Sequence, residues 1–303
     1  MTTNPNKINF YFDKNIWSDI TNKTDSEFSS LIELIKPLKN ESKIGIYYSP
    51  ISVLELIKGM FFEKHYELCK KEIRLASIVT DKHFLEYPWD HVRRIVHASL
   101  QVSFKEVDIL FLNLSRKIAI GSYQQVEPII AATRDMMGKW ETEWSDSLNQ
   151  IRMNFNHLDP KEAKRYKEDF WINRRRKTLW PHLLQQFSLS LESDKLPFNE
   201  GYKRLHSLRY CLDYRITYEN KLLFENKKAR PSDYLDWIQL VYLNIMDYLI
   251  TNDSKLITIL NDCENYELNN VSMRFSEFLD CLKGKLPKKR APDSTYEKWY
   301  DAQ

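Results

Sequence analysis

Residues 233–253 read Asp233-Tyr-Leu-Asp236-Trp-Ile-Gln-Leu-Val-Tyr-Leu-Asn-Ile-Met-Asp-Tyr-Leu-Ile-Thr251-Asn252-Asp253, and this stretch decides the fold class. Its first half has the apolar spacing of a helix, and its second half is a short apolar run typical of a buried strand. The strand ends in polar residues that close with a carboxylate. This order of helix, buried strand and terminal acid predicts an α/β protein with a parallel sheet.

Two N-terminal segments repeat the arrangement of an apolar strand followed by polar residues. They are residues 8–12, which run into Asp13 and Asn15, and residues 44–48, which run into Ser49-Pro-Ile-Ser52-Val-Leu-Glu55. A strand around residues 271–274 completes the predicted sheet, after one at 247–251. The carboxyl ends of parallel strands share one edge of an open sheet, and ligands bind there. We therefore expect acids from three strands to lie together at that edge.

The expected group of acids carries an electrostatic penalty. Carboxylates a few ångströms apart raise one another's pKa values and titrate as a coupled set. A divalent cation removes that penalty, and ligation by oxygen alone favours Mg²⁺ or Mn²⁺, which bridge to phosphate oxygens. The sequence thus predicts a Mg²⁺ or Mn²⁺ site able to activate water for phosphodiester hydrolysis.

Four pieces of this pattern, taken in order, resemble the PIN-domain nucleases, a family that includes the ribonuclease toxins of bacterial toxin–antitoxin pairs. The pieces are Phe12-Asp13-Lys14-Asn15, Ser49-Pro-Ile-Ser52-Val-Leu-Glu55, Asp236 at the front of an apolar helix, and Thr251-Asn252-Asp253. Residues 256–260 and 271–279 suit the family's next helix, short last strand and terminal helix. The resemblance covers residues 7–60 and 230–282.

The resemblance implies a PIN-like parallel sheet flanked by helices, with four catalytic acids that bind the metal. These acids are Asp13, Glu55, Asp236 and Asp253, and their implied partners are Asn15, Ser52, Thr251 and Asn252. The interval from Asp236 to Asp253 is about one residue shorter than the resemblance implies. Asp233, one helical turn earlier, is therefore an alternative or additional third ligand.

The implied activity is that of a metal-dependent endoribonuclease that hydrolyses RNA phosphodiester bonds, as a toxin or a phage-defence effector. The RNA class (tRNA, rRNA or mRNA) and the cutting of DNA stay open. The implied partners are the RNA, an antitoxin or regulatory protein, and further copies of the chain in a homo-oligomer. The alternative function is a non-catalytic interaction scaffold built on a degenerate PIN core.

Each candidate acid also has a plain structural explanation. Asp13 and Asp253 suit the N-caps of the helices that follow them, and Asp236 suits a first helical turn, where negative charge favours the dipole. Glu55 fits an exposed acid early in a helix. The order of all four acids behind apolar strands favours a shared site over four separate caps.

Residues 63–229 separate the two halves of the predicted catalytic domain and have helical spacing nearly throughout. The prediction is a discontinuous catalytic domain, residues 1–62 and 230–283, with a long all-helical insertion and a basic tail at residues 284–303. Within the insertion, Arg174-Arg175-Arg176-Lys177 follows aromatic residues, a combination suited to RNA. The alternative, more common for such runs, is a solvated helix face with internal ion pairs.

The amino-acid composition excludes several classes of protein. The 303 residues include 43% hydrophobic ones, enough for a large core, and a net charge of +3 excludes a uniformly basic clamp. Six glycines lack P-loop or Rossmann spacing, and four cysteines far apart indicate free thiols. No export signal or membrane-spanning run is evident, so we expect a cytoplasmic protein without membrane contact.

Overall fold

The computed structural model describes residues 6–60, 63–81, 84–100, 117–166, 168–189, 195–225 and 227–290. Its sheet consists of β1 (Ile8–Phe12), β2 (Ile44–Tyr47), β3 (Tyr248–Ile250) and β4 (Ser272–Met273). The strands are all parallel and lie in the order β2-β1-β3-β4. The predicted α/β class, with a parallel sheet flanked by helices, is therefore confirmed.

The central strand β1 is buried along its whole length. Phe10 and Phe12 pack into a hydrophobic cluster on one face of the sheet, whereas Tyr11 packs into a second cluster on the other face. This alternation follows from the two-residue period of a strand. A strand that is apolar at every position is what a sheet covered on both faces requires.

The first face is covered mainly by helices from the N-terminal part of the chain. They are α1 (Lys14–Thr21), α2 (Asp25–Asn40), α3 (Pro50–Gly59) and α4 (Glu63–Val79). Helix α2 begins with a capping box between Thr24 and Glu27, and the Ser49 side chain caps α3 ahead of Pro50. These caps fix the first turns of α2 and α3 at defined residues.

The second face is covered by helices that follow residue 84. They are α5 (Pro88–Ser99), α6 (Tyr123–Phe155), α7 (Pro160–Arg165), α8 (Asp169–Gln186), α9 (Phe198–Arg204), α10 (His206–Phe224), α11 (Asp233–Ile238), a 3₁₀ helix (Gln239–Asn244) and α12 (Ser254–Asn261). Apart from α7, which buries no residue, these helices place apolar side chains in one cluster with Tyr11, Tyr47 and Leu249 of the sheet, whereas Val126 and Ile130 of α6 join the cluster on the first face. Helices of the predicted insertion therefore share a hydrophobic core with the sheet.

The described part of the chain ends with α13 (Phe275–Lys283) on the first face and with residues 284–290, which form neither helix nor strand. The Tyr248 hydroxyl donates to the carbonyl of Lys288 at 2.8 Å, and the Arg290 guanidinium donates to three loop carbonyls. The start of the predicted basic tail is thus fixed to the fold, whereas residues 291–303 lie outside the described residues. No described helix is both long and apolar enough to cross a membrane.

Candidate active site

The candidate site lies where the chain switches direction across the sheet. From β1 the chain proceeds to β2 on one side, whereas β3 lies on the other side of β1. In open parallel sheets, this switch point opens a crevice at the carboxyl ends of the two neighbouring strands. Asp13 follows β1, its amide donates to the Ile250 carbonyl at 2.9 Å, and Asp253 follows β3. The topology therefore brings these two acids to one crevice.

A buried hydroxyl links the two acids. Thr251 Oγ1 donates to Asp13 Oδ2 at 2.7 Å and accepts from the Asp253 amide at 3.1 Å. Asn15 Nδ2 donates both to Asp13 Oδ2 at 2.7 Å and to Thr251 Oγ1 at 3.0 Å. Asn15 and Thr251, two of the predicted partners, thus hold the Asp13 carboxylate in one orientation.

Both acids also cap helices, as the plain structural explanation predicts. Asp13 Oδ1 accepts from the Lys14 amide at 2.7 Å. Asp253 Oδ1 accepts from the amides of Lys255 at 2.7 Å and Leu256 at 3.0 Å. Capping occupies one oxygen of Asp253, and its other oxygen has no hydrogen bond within the described chain. A capping role and a ligand role are therefore compatible in the same side chain.

Glu55 and Asp236 differ from the capping acids because neither carboxylate has a hydrogen bond or an ion pair among the described residues. Both side chains are partly exposed. Burial raises the pKa of Glu55 well above its usual value, and the charges of Asp13 and Asp236 raise it further. Burial likewise raises the pKa of Asp236, with added repulsion from Asp13 and Asp253. The four acids therefore act on one another electrostatically.

The pKa of Asp13 is shifted by burial and by a neighbouring acid in the same way. Burial raises its pKa, the hydrogen bond from Thr251 lowers it, and the charge of Asp253 raises it again. Mutual repulsion among partly buried carboxylates is the penalty that the sequence pattern predicts. A cation placed among the four acids would offset that repulsion.

Asp233, the alternative third acid, is engaged elsewhere. Its side chain is buried, and Oδ2 accepts hydrogen bonds from the Tyr218 hydroxyl and from the Arg230 amide at 3.0 Å. The same oxygen lies 2.6 Å from Lys255 Nζ. These three partners tie α10, α11 and α12 together. Of the two acids of α11, Asp236 is therefore the one whose carboxylate has no hydrogen-bond or ion-pair partner among the described residues.

In the described part of the chain, the side chains of the two remaining predicted partners make no hydrogen bond to a candidate acid. Ser52 lies buried in the first turn of α3, and among the described residues its hydroxyl makes no hydrogen bond to a candidate acid. The Asn252 side chain donates to Asp19 at 2.8 Å and accepts from the Phe275 amide at 3.2 Å, so it joins α1 to α13. The backbone amide of Asn252 donates to Asn15 Oδ1 at 3.1 Å, which connects it to the hydrogen bonds around Asp13.

Sequence reasoning missed Lys14, which lies directly after Asp13. Its positive charge opposes the net increase in the pKa of both Asp13 and Glu55. It also missed Tyr11, whose buried hydroxyl is hydrogen-bonded to Ser49 at 2.8 Å and donates to Gln239 at 3.1 Å. Burial raises the pKa of Tyr11, and the charges of Asp13 and Glu55 raise it further. The sequence signal that could have identified Lys14 is its position directly after a strand end. No local signal could have identified the Tyr11 contacts, because they involve residues 38 and 228 positions away.

The donor set is compatible with a hard cation because the four acids offer only oxygen atoms. Within the described ranges, no group of three or more His, Cys, Asp or Glu side chains is positioned to hold a metal ion. The charges of the candidate acids thus shift one another's pKa values, but their described side chains are not arranged as the ligands of a bound ion would be.

The predicted RNA-binding run lies on α8. Arg175 pairs with Glu219, and its Nη1 donates to Asn220 at 2.6 Å. Arg176 Nε donates to the buried Asp213 at 2.9 Å. These two cations therefore pack α8 onto α10, as in the alternative of internal ion pairs. Arg174 and Lys177 are exposed.

Comparisons of the chain with models of protein families, with curated proteins and with solved structures found no match.

Proposed function

We propose that this protein is a divalent-metal-dependent endoribonuclease of the PIN type, with Asp13, Glu55, Asp236 and Asp253 as its catalytic acids. One observation carries the proposal. Asp13 lies at the end of β1 beside β3, and burial together with the charges of neighbouring acids raises the pKa of Asp13, of Glu55 on α3 and of Asp236 on α11. Perturbed carboxyl groups gathered in a crevice are characteristic of functional sites.

The resident ion would be Mg²⁺ or Mn²⁺, held by oxygens of the four acids. When bound, such an ion supplies a nucleophilic water and stabilises charge that develops on the phosphate. The chain's own residues have separate tasks. Asn15 and Thr251 orient the Asp13 carboxylate, and Lys14 offers a positive charge beside the acids for the substrate's phosphates. Glu55 and Asp236, whose carboxylates have no hydrogen bond or ion pair among the described residues, complete the donor set.

RNA cleavage in the presence and absence of divalent ions tests the proposal. We expect the parent protein to cut single-stranded RNA with Mg²⁺ or Mn²⁺ and to be inactive in chelator. Asp13→Asn should lose at least about 100-fold in activity, because removal of a ligand exceeds the roughly 10- to 100-fold cost of losing an outer partner. Asp135→Asn, an equal change of charge at an exposed position of α6, is the matched control.

The thermal melt of Asp13→Asn in chelator separates loss of function from loss of fold. Asparagine is nearly isosteric, caps helices as well as aspartate does, and removes one charge from a repulsive group. The variant should therefore stay folded, because relief of the repulsion offsets the loss of one of the two acceptor oxygens that Lys14, Asn15 and Thr251 use. A folded Asp13→Asn variant that cleaves like the parent would contradict the metal-nuclease proposal.

The second candidate function is a non-catalytic interaction scaffold. One observation favours it: the described acids are not closed into a ligand cage. A divalent-ion titration distinguishes the two functions, because catalysis depends on the ion and scaffolding does not. Growth arrest on expression, relieved by Asp13→Asn, would support the toxin or phage-defence form of the nuclease proposal.

A further inference from the structure

A small pocket adjoins the candidate active site on the side of α1, α3 and α4. It has a volume of about 170 Å³, and its lining includes Lys14, Ser18, Glu55, Leu56, Cys69 and Glu72. Pockets for drug-sized ligands typically measure ~300–1,000 Å³, so this one suits a smaller group such as a single nucleobase. Because Glu55 belongs both to this pocket and to the candidate acids, the two sites are continuous.

One wall of the pocket carries a buried carboxyl group with an unsatisfied oxygen. Glu72 on α4 is only 3% exposed. Its Oε2 accepts from the Ser18 hydroxyl at 3.4 Å and lies 4.0 Å from Lys14 Nζ. Its Oε1 has no hydrogen-bond partner in the described part of the chain. Buried polar atoms in native proteins are nearly always paired, so this oxygen requires an explanation.

The Glu72 carboxyl is also costly to ionise in the free protein. Burial raises its pKa to about 7, although Lys14 and Ser18 oppose the increase. A ligand that donates hydrogen bonds to this carboxylate would stabilise its charged form. A donor on a ligand that enters the pocket would supply the missing partner of Oε1 and favour the ionised carboxylate.

We propose that this pocket binds a guanine base of the RNA substrate and that the Glu72 carboxylate reads it. An ionised carboxylate offers only acceptors. Guanine presents two adjacent donors on its Watson–Crick edge, N1–H and the N2 amino group, whereas each of the other three bases places an acceptor beside its donor. Unstacked bases of single-stranded RNA are commonly read on this edge. The inference rests on the proposed nuclease function.

The position of the pocket specifies which nucleotide is read. Lys14 lines the pocket and acts electrostatically on Asp13 and Glu55. A phosphate that Lys14 contacts therefore lies next to the acids, and the base in the pocket belongs to a nucleotide that flanks the cleaved bond. Glu72 is thus a specificity-determining residue, outside the four acids that carry the reaction.

Cleavage of a random-sequence single-stranded RNA, with the new ends sequenced, tests the assignment. The parent protein with Mn²⁺ should favour guanine at one position flanking the cut by roughly 10- to 100-fold, the range of a bidentate contact with a base. Glu72→Gln should lose this preference while still cutting. Glu67→Gln, at an exposed position of the same helix, should keep it.

Nucleotide binding in chelator provides a readout that needs no catalysis. Guanosine and adenosine 5′-monophosphate share their sugar and phosphate, so calorimetric titration of each isolates the contribution of the base. The parent protein should bind the guanine nucleotide at least about tenfold more tightly, and Glu72→Gln should bind both alike.

The possible outcomes separate the two proposals. RNA cleavage without base preference, or with a preference that survives in Glu72→Gln, would overturn the guanine assignment and leave the nuclease intact. Equal affinity of the parent protein for both nucleotides would also overturn it, even if Glu72→Gln failed to fold. Selective binding of the guanine nucleotide without cleavage of any RNA would instead contradict the nuclease proposal alone.

Discussion

Individual side chains at the candidate site have more than one role, because they cap helices, orient neighbouring carboxylates or carry charge. Thr251 is completely buried, and its hydroxyl donates to Asp13 while accepting from the Asp253 amide. The sequence identified Asp13 and Thr251 because both lie directly after apolar strands. It did not identify the Tyr11 contacts with Ser49 and Gln239, because these depend on packing between segments far apart in the chain.

The Thr251 hydroxyl can be tested by substitution with an isosteric side chain. Thr251→Val should reduce nuclease activity roughly 10- to 100-fold, as loss of a partner that orients a metal ligand does. It should also lower the free energy of unfolding by about 1–3 kcal/mol, because buried polar partners are left unsatisfied. RNA-cleavage rates and denaturant melts measure the two effects. Thr251→Ser retains the hydroxyl and should retain most of the activity.

The neighbouring acids of α11 should respond in opposite ways to loss of charge. Asp236→Asn should abolish cleavage and leave stability equal or higher, because Asp236 has no partners and is repelled by Asp13. Asp233→Asn should keep measurable activity but destabilise the protein by about 1–3 kcal/mol, since it weakens contacts with Tyr218 and Lys255. Cleavage and melting of both variants decide the matter. A stable, inactive Asp233→Asn variant beside an active Asp236→Asn variant would move the third ligand to Asp233.

At the scale of elements, the sequence was most informative where a single pattern determines the structure. The apolar runs before Asp13, Ser49 and Thr251 predicted three strands at nearly their observed bounds. The apolar helix after Asp233 is instead α11 followed by a 3₁₀ helix, and every residue from Gln239 to Asn244 is buried. Helical spacing alone does not distinguish these two conformations, because their periods differ by less than one residue.

The sequence pattern also could not assign the role of the arginine run of α8, because that role depends on which side chains of the neighbouring helix pair with it. Arg176→Ala should lower the free energy of unfolding by about 3 kcal/mol or more, because it leaves the buried Asp213 without its cation. Lys177→Ala, at an exposed position of the same helix, should change stability by less than about 0.5 kcal/mol. Denaturant melts compare the two variants. Equal stability of Arg176→Ala and the parent protein would show that this ion pair does not hold α8 on α10.

Across the whole molecule, the predicted discontinuous catalytic domain and the helical insertion share a hydrophobic cluster. Tyr11 and Leu249 of the sheet pack in the same cluster as Leu208 of α10 and Trp144 of α6. The sequence predicted the insertion from its helical spacing, but the surface that it covers was not predictable. Strand residues that are apolar on both faces indicate a covering layer without saying which segment supplies it.

The final prediction concerns how stability depends on pH and on the metal ion. The carboxyls of Glu55, Asp236 and Asp13 have raised pKa values, and that of Glu72 is raised to about 7. The folded protein therefore binds more protons than the unfolded chain above the usual carboxyl pKa of about 4. Stability from these groups is present at low pH and is lost as the pH rises through the raised values.

In chelator, the melting temperature should therefore fall between about pH 5.5 and about pH 7.5. Mn²⁺ should reverse this trend, because ligand carboxylates must be deprotonated and the ion competes with protons for them. At about 100 times its dissociation constant, the ion should add ~2.7 kcal/mol at the higher pH and less at the lower one. Glu55→Gln should flatten both dependences, since it removes one of the coupled groups. A melting temperature that rises with pH in chelator and ignores Mn²⁺ would show that the acids are not a strained, metal-binding group.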